Sequence, residues 1–372
     1  GRELVELVEL RINCPDPSRE LECSDVRLSP EPFALKIKGL NMATTVIAAF
    51  NEFMKDTVNL NKEDTDDAHA SRDWLIGKIN DFDKDGTFPV NYPDIHIPFG
   101  SFARRTKIRP LDDIDLMLGL SAESATHTIY SDHITLNSTG ENTRLHQYRH
   151  TGENTICSVR ILNAFKNRLQ GVSQYAKAEI RRNQEAVTLN LSSKDWNFDI
   201  VPCFMSNADA FGKNYYLIPD GKGHWKKTDP RVDRNRVSEI NVKNDGNVLN
   251  VIRAVKYWQR RPTMPTMSSY LLETMILDYY KNKTDCLKYI DMELQALFNH
   301  LGLFVKYSVN DPKGIQGDIN TLSMEDRQKI SDRCYLDAQR AAEARQFERD
   351  NDHEKSINKW QEVFGPHFPA YG

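Results

Sequence analysis

The sequence predicts an α+β protein: a mixed sheet with helices, followed by a lobe built almost wholly of helices. Three observations carry this. Between Asp94 and Lys227, short apolar runs alternate like strands and are separated by polar turns. Ahead of them, two segments repeat apolar residues at the helical period. After about Asn247 the helical period takes over and runs to the end. With 372 residues the chain is long enough for two lobes with separate cores, and 39% hydrophobic and 27% charged residues describe an ordinary soluble composition.

Residues 1–41 stand apart. They begin with Gly, alternate Glu with Leu and Val in ELVELVEL, and place four prolines near serines. They read as an extension: a tag remnant, an alternative start or an interaction arm. From Thr44 to Leu60, Val46, Ile47, Phe50, Phe53 and Met54 mark a helix, and Trp74, Leu75, Ile79 and Phe82 mark a second from about Asp66 to Phe82. DIHIPFG (94–100) is a short strand entering a Gly-Ser turn, and 111–120 is the next strand. Residues 121–156 are polar and weakly patterned, expected as loop with at most one edge strand. A helix follows at 159–169. AVTLNL (186–191) and WNFDIVPCF (196–204) form an antiparallel pair, and YYLIPDGKGHWKK (215–227) a hairpin around Pro-Asp-Gly. Helices are then expected at 247–260, 268–281 and 286–302 and across 324–364. The domains so drawn are the extension 1–41, a first lobe 42–245 and a helical lobe 246–372.

Charge and cysteine usage narrow the class. A net charge of −4 gives no global pull toward nucleic acid or an anionic membrane, so any phosphate-binding surface is local. No apolar run approaches the about 18–20 residues that span a bilayer, and no secretory signal is apparent. The six cysteines are scattered without a C-x-x-C pair, which reads as reduced thiols in the cytoplasm. His146 and His150 have ligand spacing but lie in loop-like sequence with no Glu between them.

The informative residues are acids in apolar surroundings. Asp-x-Asp occurs five times and is worthless alone. Asp81, Asp83 and Asp85 imitate a calcium loop whose twelfth position is Tyr92 instead of Glu, so they read as a helix-ending turn. Asp113 and Asp115 differ, because residues two apart in a strand share a face while Ile114 and Leu116 enter the core. Asp112 then faces the other way as a strand-start residue. Just upstream, Gly100 and Ser101 turn a strand into a basic helix, offering amide groups and a hydroxyl to phosphate. Asp199, between Phe198 and Ile200, is a third acid that would be costly there without a cationic partner. Three carboxylates beside a phosphate cradle suit in-line nucleotidyl transfer assisted by two divalent ions, Mg²⁺ or Mn²⁺. Asp113 and Asp115 would bridge the ions, and Asp199 would lie nearest the activated hydroxyl. Arg104, Arg105, Lys107 and Arg109 form either a phosphate-attracting cluster or a plain surface helix.

Gly-Ser, a D-x-D strand and a later single Asp resemble the signature of the DNA polymerase β-like nucleotidyltransferases. VIRAVKYWQRR (251–261), SSYLLETMI (268–276) and INKWQEVFGPHFP (357–369) narrow the resemblance to the bacterial CD-NTases, relatives of cyclic GMP–AMP synthase, over about residues 42–370. The resemblance implies a polymerase β-like core packed on a C-terminal helical lobe. It matches Gly100 and Ser101 to the triphosphate turn and Asp113, Asp115 and Asp199 to the metal triad. It matches Lys256 to a lysine on the donor's β/γ phosphates, Ser269 to the serine that joins it, and Tyr270 to an aromatic that stacks on a base. Taken alone, Lys256 would be a solvated lysine and Tyr270 a core residue. The resemblance further implies a cyclic di- or trinucleotide second messenger made from ATP with or without another NTP, in anti-phage signalling. A separate effector would receive the product, and a HORMA-type activator is a further implied partner. The W-x-x-VFG-x-x-FP ending resembles branches that make cyclic trinucleotides. Neither a membrane nor a nucleic-acid substrate is required. Two rivals use the same residues: an RNA- or tRNA-tailing transferase, which needs an extended basic path, and a nucleotide-binding pseudoenzyme, which has no reason to keep three costly acids.

Overall fold

The computed structural model describes residues 42–138 and 140–372, so the expectation for 1–41 lies outside the described residues. Strand β1 (Met42–Ala43) leads to Thr45, whose hydroxyl accepts from the Ala48 amide and starts α1 (Val46–Glu52). The helix continues as a π-helical stretch over Phe53–Val58. Asn61 caps α2 (Lys62–Asn80) by accepting from the Asp64 amide. That helix begins ahead of the expected Asp66, because its polar first turn carries Glu63 and Asp64, which the helix dipole favours there. Next come β2 (Ile97–Phe99), the one-turn α3 (Gly100–Ala103) and β3 (Asp113–Gly119).

Residues 121–156 hold two strands, β4 (Thr126–Ile129) and β5 (Ile134–Asn137), paired as an antiparallel hairpin. β4 is largely exposed, so its Thr-His-Thr-Ile sequence carries no core-facing alternation. Helix α4 (Ser158–Gln170) follows, then β6 (Glu179–Asn183), β7 (Ala186–Asn190), β8 (Asn197–Met205), β9 (Tyr216–Pro219) and β10 (Trp225–Thr228). The antiparallel β7–β8 and β9–β10 pairs are those expected. β6 was not expected: in EIRRN only Ile180 is buried. Nor was α5 (Pro230–Lys243), a mostly polar helix with Pro at its start, capped by Asp229. The helical part is α6 (Val248–Gln259), α7 (Ser269–Tyr280), α8 (Ile290–Phe304), α9 (Met324–Arg349) and α10 (His353–Phe364), and it ends in β11 (Ala370–Tyr371), parallel to β1. Among the described residues no helix is long and apolar enough to cross a membrane.

The sheet runs β2-β3-β8-β9-β10-β5-β4, with β7 and then β6 branching from β8. β3 and β8 are parallel, in register from Asp113 with Asn197 to Gly119 with Cys203. One sheet face buries Ile114, Leu116, Phe198 and Ile200 against α2 and α4. The other packs Ile97, Met117, Val201, Cys203 and Tyr216 into a smaller cluster. By strand alternation Asp113, Asp115 and Asp199 lie on this second face, at the end where the apolar cover stops. The helical core gathers Trp258, Phe298, Trp360, Phe364 and Phe368, and takes Phe50 and Phe53 from α1 and its π-helical continuation. Within it the fully buried Asp337 accepts from Trp258 Nε1 at 2.7 Å and pairs with Arg333 and Arg340, so its charge is answered.

Candidate active site

Parallel register places Asp115 directly beside Asp199, and Asp113 two residues before Asp115 on the same face. Thr188, opposite Asp199 on β7, donates its hydroxyl to Oδ1 at 2.6 Å and fixes that carboxylate. Burial, then the charges of Asp113 and Asp199, push the Asp115 carboxyl up to about 7. Phe99 pairs with Asp115 across β2–β3, so the chain turns at Gly100 against that carboxylate. Gly100 adopts φ +71°, a left-handed conformation that suits glycine. The turn closes around Ser101, whose carbonyl accepts from the amides of Thr106 and Lys107 at 2.9 and 3.1 Å.

The basic segment after Ser101 is not a surface helix. α3 ends at Ala103, and the chain folds back so that Lys107 is buried and its ammonium pairs with both Asp112 and Asp113. Asp112, expected on the opposite face, precedes β3 and so escapes strand alternation. Burial and the neighbouring Asp112 raise the Asp113 carboxyl above its ordinary range, with Lys107 opposing.

Behind the turn lies a buried network. Glu273 of α7, 2% exposed, accepts from Lys256 Nζ at 2.8 Å, Thr106 Oγ1 at 3.0 Å and Arg104 Nε at 3.1 Å. Burial opposes its ionisation, yet Arg104 and Lys256 hold it below the usual carboxylate range. Two cations thus face one carboxylate, which leaves net positive charge, and Arg104 is within electrostatic reach of Asp115 and Asp233 as well. Lys256, solvated on a bare reading of its helix, is 4% exposed. It lines a cleft of about 440 Å³ with Ser269, Gln259 and Arg260. Tyr270 is half-buried, its hydroxyl 2.8 Å from carboxylate oxygens of both Asp233 and Asp311, and Lys313 lies 4.0 Å from the centre of its ring.

The structure therefore gathers Asp113, Asp115, Asp199, Gly100 and Ser101 at one end of the sheet. It puts Lys256 and Ser269 in a second cleft tied to that turn through Glu273, and holds Tyr270 in an acid–lysine network of its own. Sequence reasoning missed Glu273, Thr106 and the Lys107 pairing. The lone glutamate in SYLLETMILDYY carries the signal that singled out Asp199, an acid inside an apolar run.

Among the described residues no three His, Cys, Asp or Glu side chains form a ready-made metal cage, and Lys107 stands against Asp113. The donor set nevertheless suits a hard divalent cation: the candidate donors are all carboxylate oxygens, and burial, then their mutual repulsion, raises Asp115, which a cation would relieve.

Residues 145–241 match a family model described as the Second Messenger Oligonucleotide or Dinucleotide Synthetase domain. A "Probable cyclic nucleotide synthase" of Bacillus cereus (strain VD146) is 44% identical over 335 residues, 89% of this chain and 99% of that protein. A cyclic AMP-AMP-AMP synthase of Escherichia coli (strain MS 115-1) is 23% identical over 258 residues, 67% of this chain and 68% of that one. In fold, the chain resembles E. coli MS115-1 CdnC solved with ATP, with a TM-score of 0.61 at 19% identity over 87% of this chain and 99% of that one. CdnC in its complex with HORMA-deltaN gives a TM-score of 0.60 at 20% identity, over 87% and 98% of the two chains.

Proposed function

The chain belongs to the bacterial CD-NTases, nucleotidyltransferases with a polymerase β-like core, and we propose that it is a divalent-metal-dependent member that links ribonucleoside triphosphates into a cyclic oligonucleotide. ATP is the substrate, alone or with a second NTP, and pyrophosphate leaves at each step. The observation that carries this reading is the register of Asp115 with Asp199 beside the Gly100–Ser101 turn.

Asp113, Asp115 and Asp199 would hold Mg²⁺ or Mn²⁺. Bound there, the metal supplies Lewis-acid charge that favours ionisation of a ribose hydroxyl and offsets charge developing at the α-phosphate. The chain's own groups orient the substrate. The amides and hydroxyl of the Gly100–Ser101 turn bind phosphate oxygens, and the Arg104–Lys256–Glu273 cluster presents net positive charge to the β/γ phosphates, with Ser269 alongside. Tyr270 would stack on a base through the exposed part of its ring. Asp199, held by Thr188, lies nearest the attacking hydroxyl.

The CdnC complex with HORMA-deltaN supports a HORMA-type partner for this chain, and the similarity to a cyclic AMP-AMP-AMP synthase supports a trinucleotide ring. The product acts as a second messenger on a separate effector in anti-phage (CBASS-type) signalling. Incubation with labelled ATP and Mg²⁺, without primer and with each other NTP in turn, tests the reading. A phosphatase-resistant product of ring mass supports it. Primer-dependent laddering would establish a tailing enzyme instead, and no pyrophosphate from any combination of the four nucleotides would leave a pseudoenzyme.

A further inference from the structure

Beside the carboxylate face lies a cleft of opposite charge. It has a volume of about 330 Å³ and is bounded by α2, the middle of β2, the turn after α3, and α5 and α6. His69, Arg72, Arg105, Lys107, Arg234 and Arg253 line it, and no acidic residue does among the described residues. Two of these cations are already answered: Arg72 by Asp73 at 2.8 Å, and Lys107 by Asp112 and Asp113. Arg105, Arg234 and Arg253 have no carboxylate partner among the described residues, in contrast to Arg104 and Arg231 nearby, which do.

Arg105 and Arg234 are exposed, and three further observations concern the wall they share with Arg253 and His69. Arg253 is partly buried on α6 and donates to Asn250 at 2.7 Å through Nη2, but its Nε has no acceptor among the described residues. His69 Nδ1, in the same wall, is also buried without a partner among the described residues. Arg105 projects from a backbone at φ +60°, a strained conformation for any residue with a side chain. Burial and the charge of Arg105 push the Arg253 guanidinium down. Arg105 and Arg234 are exposed and Arg253 is partly buried, so solvent screens part of their mutual repulsion, and a bound anion would offset the remainder.

We infer that this cleft is a second phosphate site, distinct from the carboxylate face and independent of the reaction proposed above, for a small phosphate-bearing anion. Its size, about 330 Å³, is at the low end of small-molecule cavities, roughly 300–1,000 Å³. Its cations converge on one hollow instead of following a surface as a duplex backbone requires. Guanidinium groups are the side chains whose planar forks match phosphate oxygens in pairs. Lys107 connects the two sites, since it lines the cleft while its ammonium holds Asp112 and Asp113.

The test is calorimetric titration of the full chain in EDTA with three probes: pyrophosphate, inorganic phosphate and adenosine 5′-monophosphate. At least one binds the wild type, and which one does so identifies the source of the phosphate. Arg253→Gln and Arg105→Gly each weaken that binding at least about tenfold. Arg105→Gly also relieves the strained backbone, so its melting temperature without anion is unchanged or higher while the anion-induced rise disappears. The proposal is overturned if no probe binds or if both variants bind like wild type.

Discussion

Gly100 and Asp115 pack so closely that a Cβ on the glycine would lie 1.7 Å from the carboxylate's Oδ2. Side chain and turn are therefore built for one another, and the left-handed backbone at Gly100 adds a second reason for glycine. Gly100→Ala should lose about 2–4 kcal/mol in urea unfolding. An alanine variant as stable as wild type would show that the turn and carboxylate are not locked together.

Asp115 supplies the pH prediction. Its folded pKa, raised to about 7 by burial and by Asp113 and Asp199, exceeds the ordinary 3.8. The folded chain thus holds this proton more tightly, so the metal-free protein loses stability as pH rises from about 4 through 7. Asp115→Asn removes that penalty, on the order of 1–3 kcal/mol at pH 8 in EDTA, and the gain shrinks toward pH 4. Thermal melts across this range check it; a variant less stable than wild type at pH 8 contradicts it.

Glu273 neutralises part of a buried cationic pair, so removing its charge strands Arg104 and Lys256. Glu273→Gln should cost about 3–5 kcal/mol. Lys256→Gln in the same background should cost less than the sum of the single changes, because the two side chains share one contact. Additive losses would mean that the pair is energetically idle.

Tyr270 separates ring from hydroxyl. Tyr270→Phe keeps the face offered to a base but frees Asp233 and Asp311, so stability falls by about 1–2 kcal/mol with the KM for ATP unchanged. Tyr270→Ala should raise that KM about tenfold. Equal KM values in both variants would remove the stacking role. Lys256→Ala should likewise raise KM more than it lowers kcat.

What was legible in the sequence was the chemistry placed against its surroundings. Asp113, Asp115 and Asp199 stand out because acids inside apolar strands are expensive, and strand alternation puts them on one face without coordinates. The segments that escaped, β4, β6 and α5, bury little and so leave almost no periodic trace. Lys107 escaped for another reason: its place between Asp112 and Asp113 depends on the backbone folding over Ser101 after one helical turn, a tertiary event no local pattern encodes. Glu273 was readable by the same rule as Asp199. Tyr270 read as an apolar ring, and only the approach of Asp233, Asp311 and Lys313 from distant segments reveals its polar end.

We propose above all that the acids of β3 and β8 jointly hold the divalent ions of a nucleotidyl transfer. Anomalous diffraction from crystals grown with Mn²⁺ and a non-hydrolysable ATP analogue tests it most directly. Manganese peaks are expected within ligand distance of Asp113, Asp115 and Asp199, with Lys107 displaced from Asp113. Nucleotide bound with manganese elsewhere, or with Lys107 still seated between Asp112 and Asp113 and no peak on β3 and β8, would contradict it.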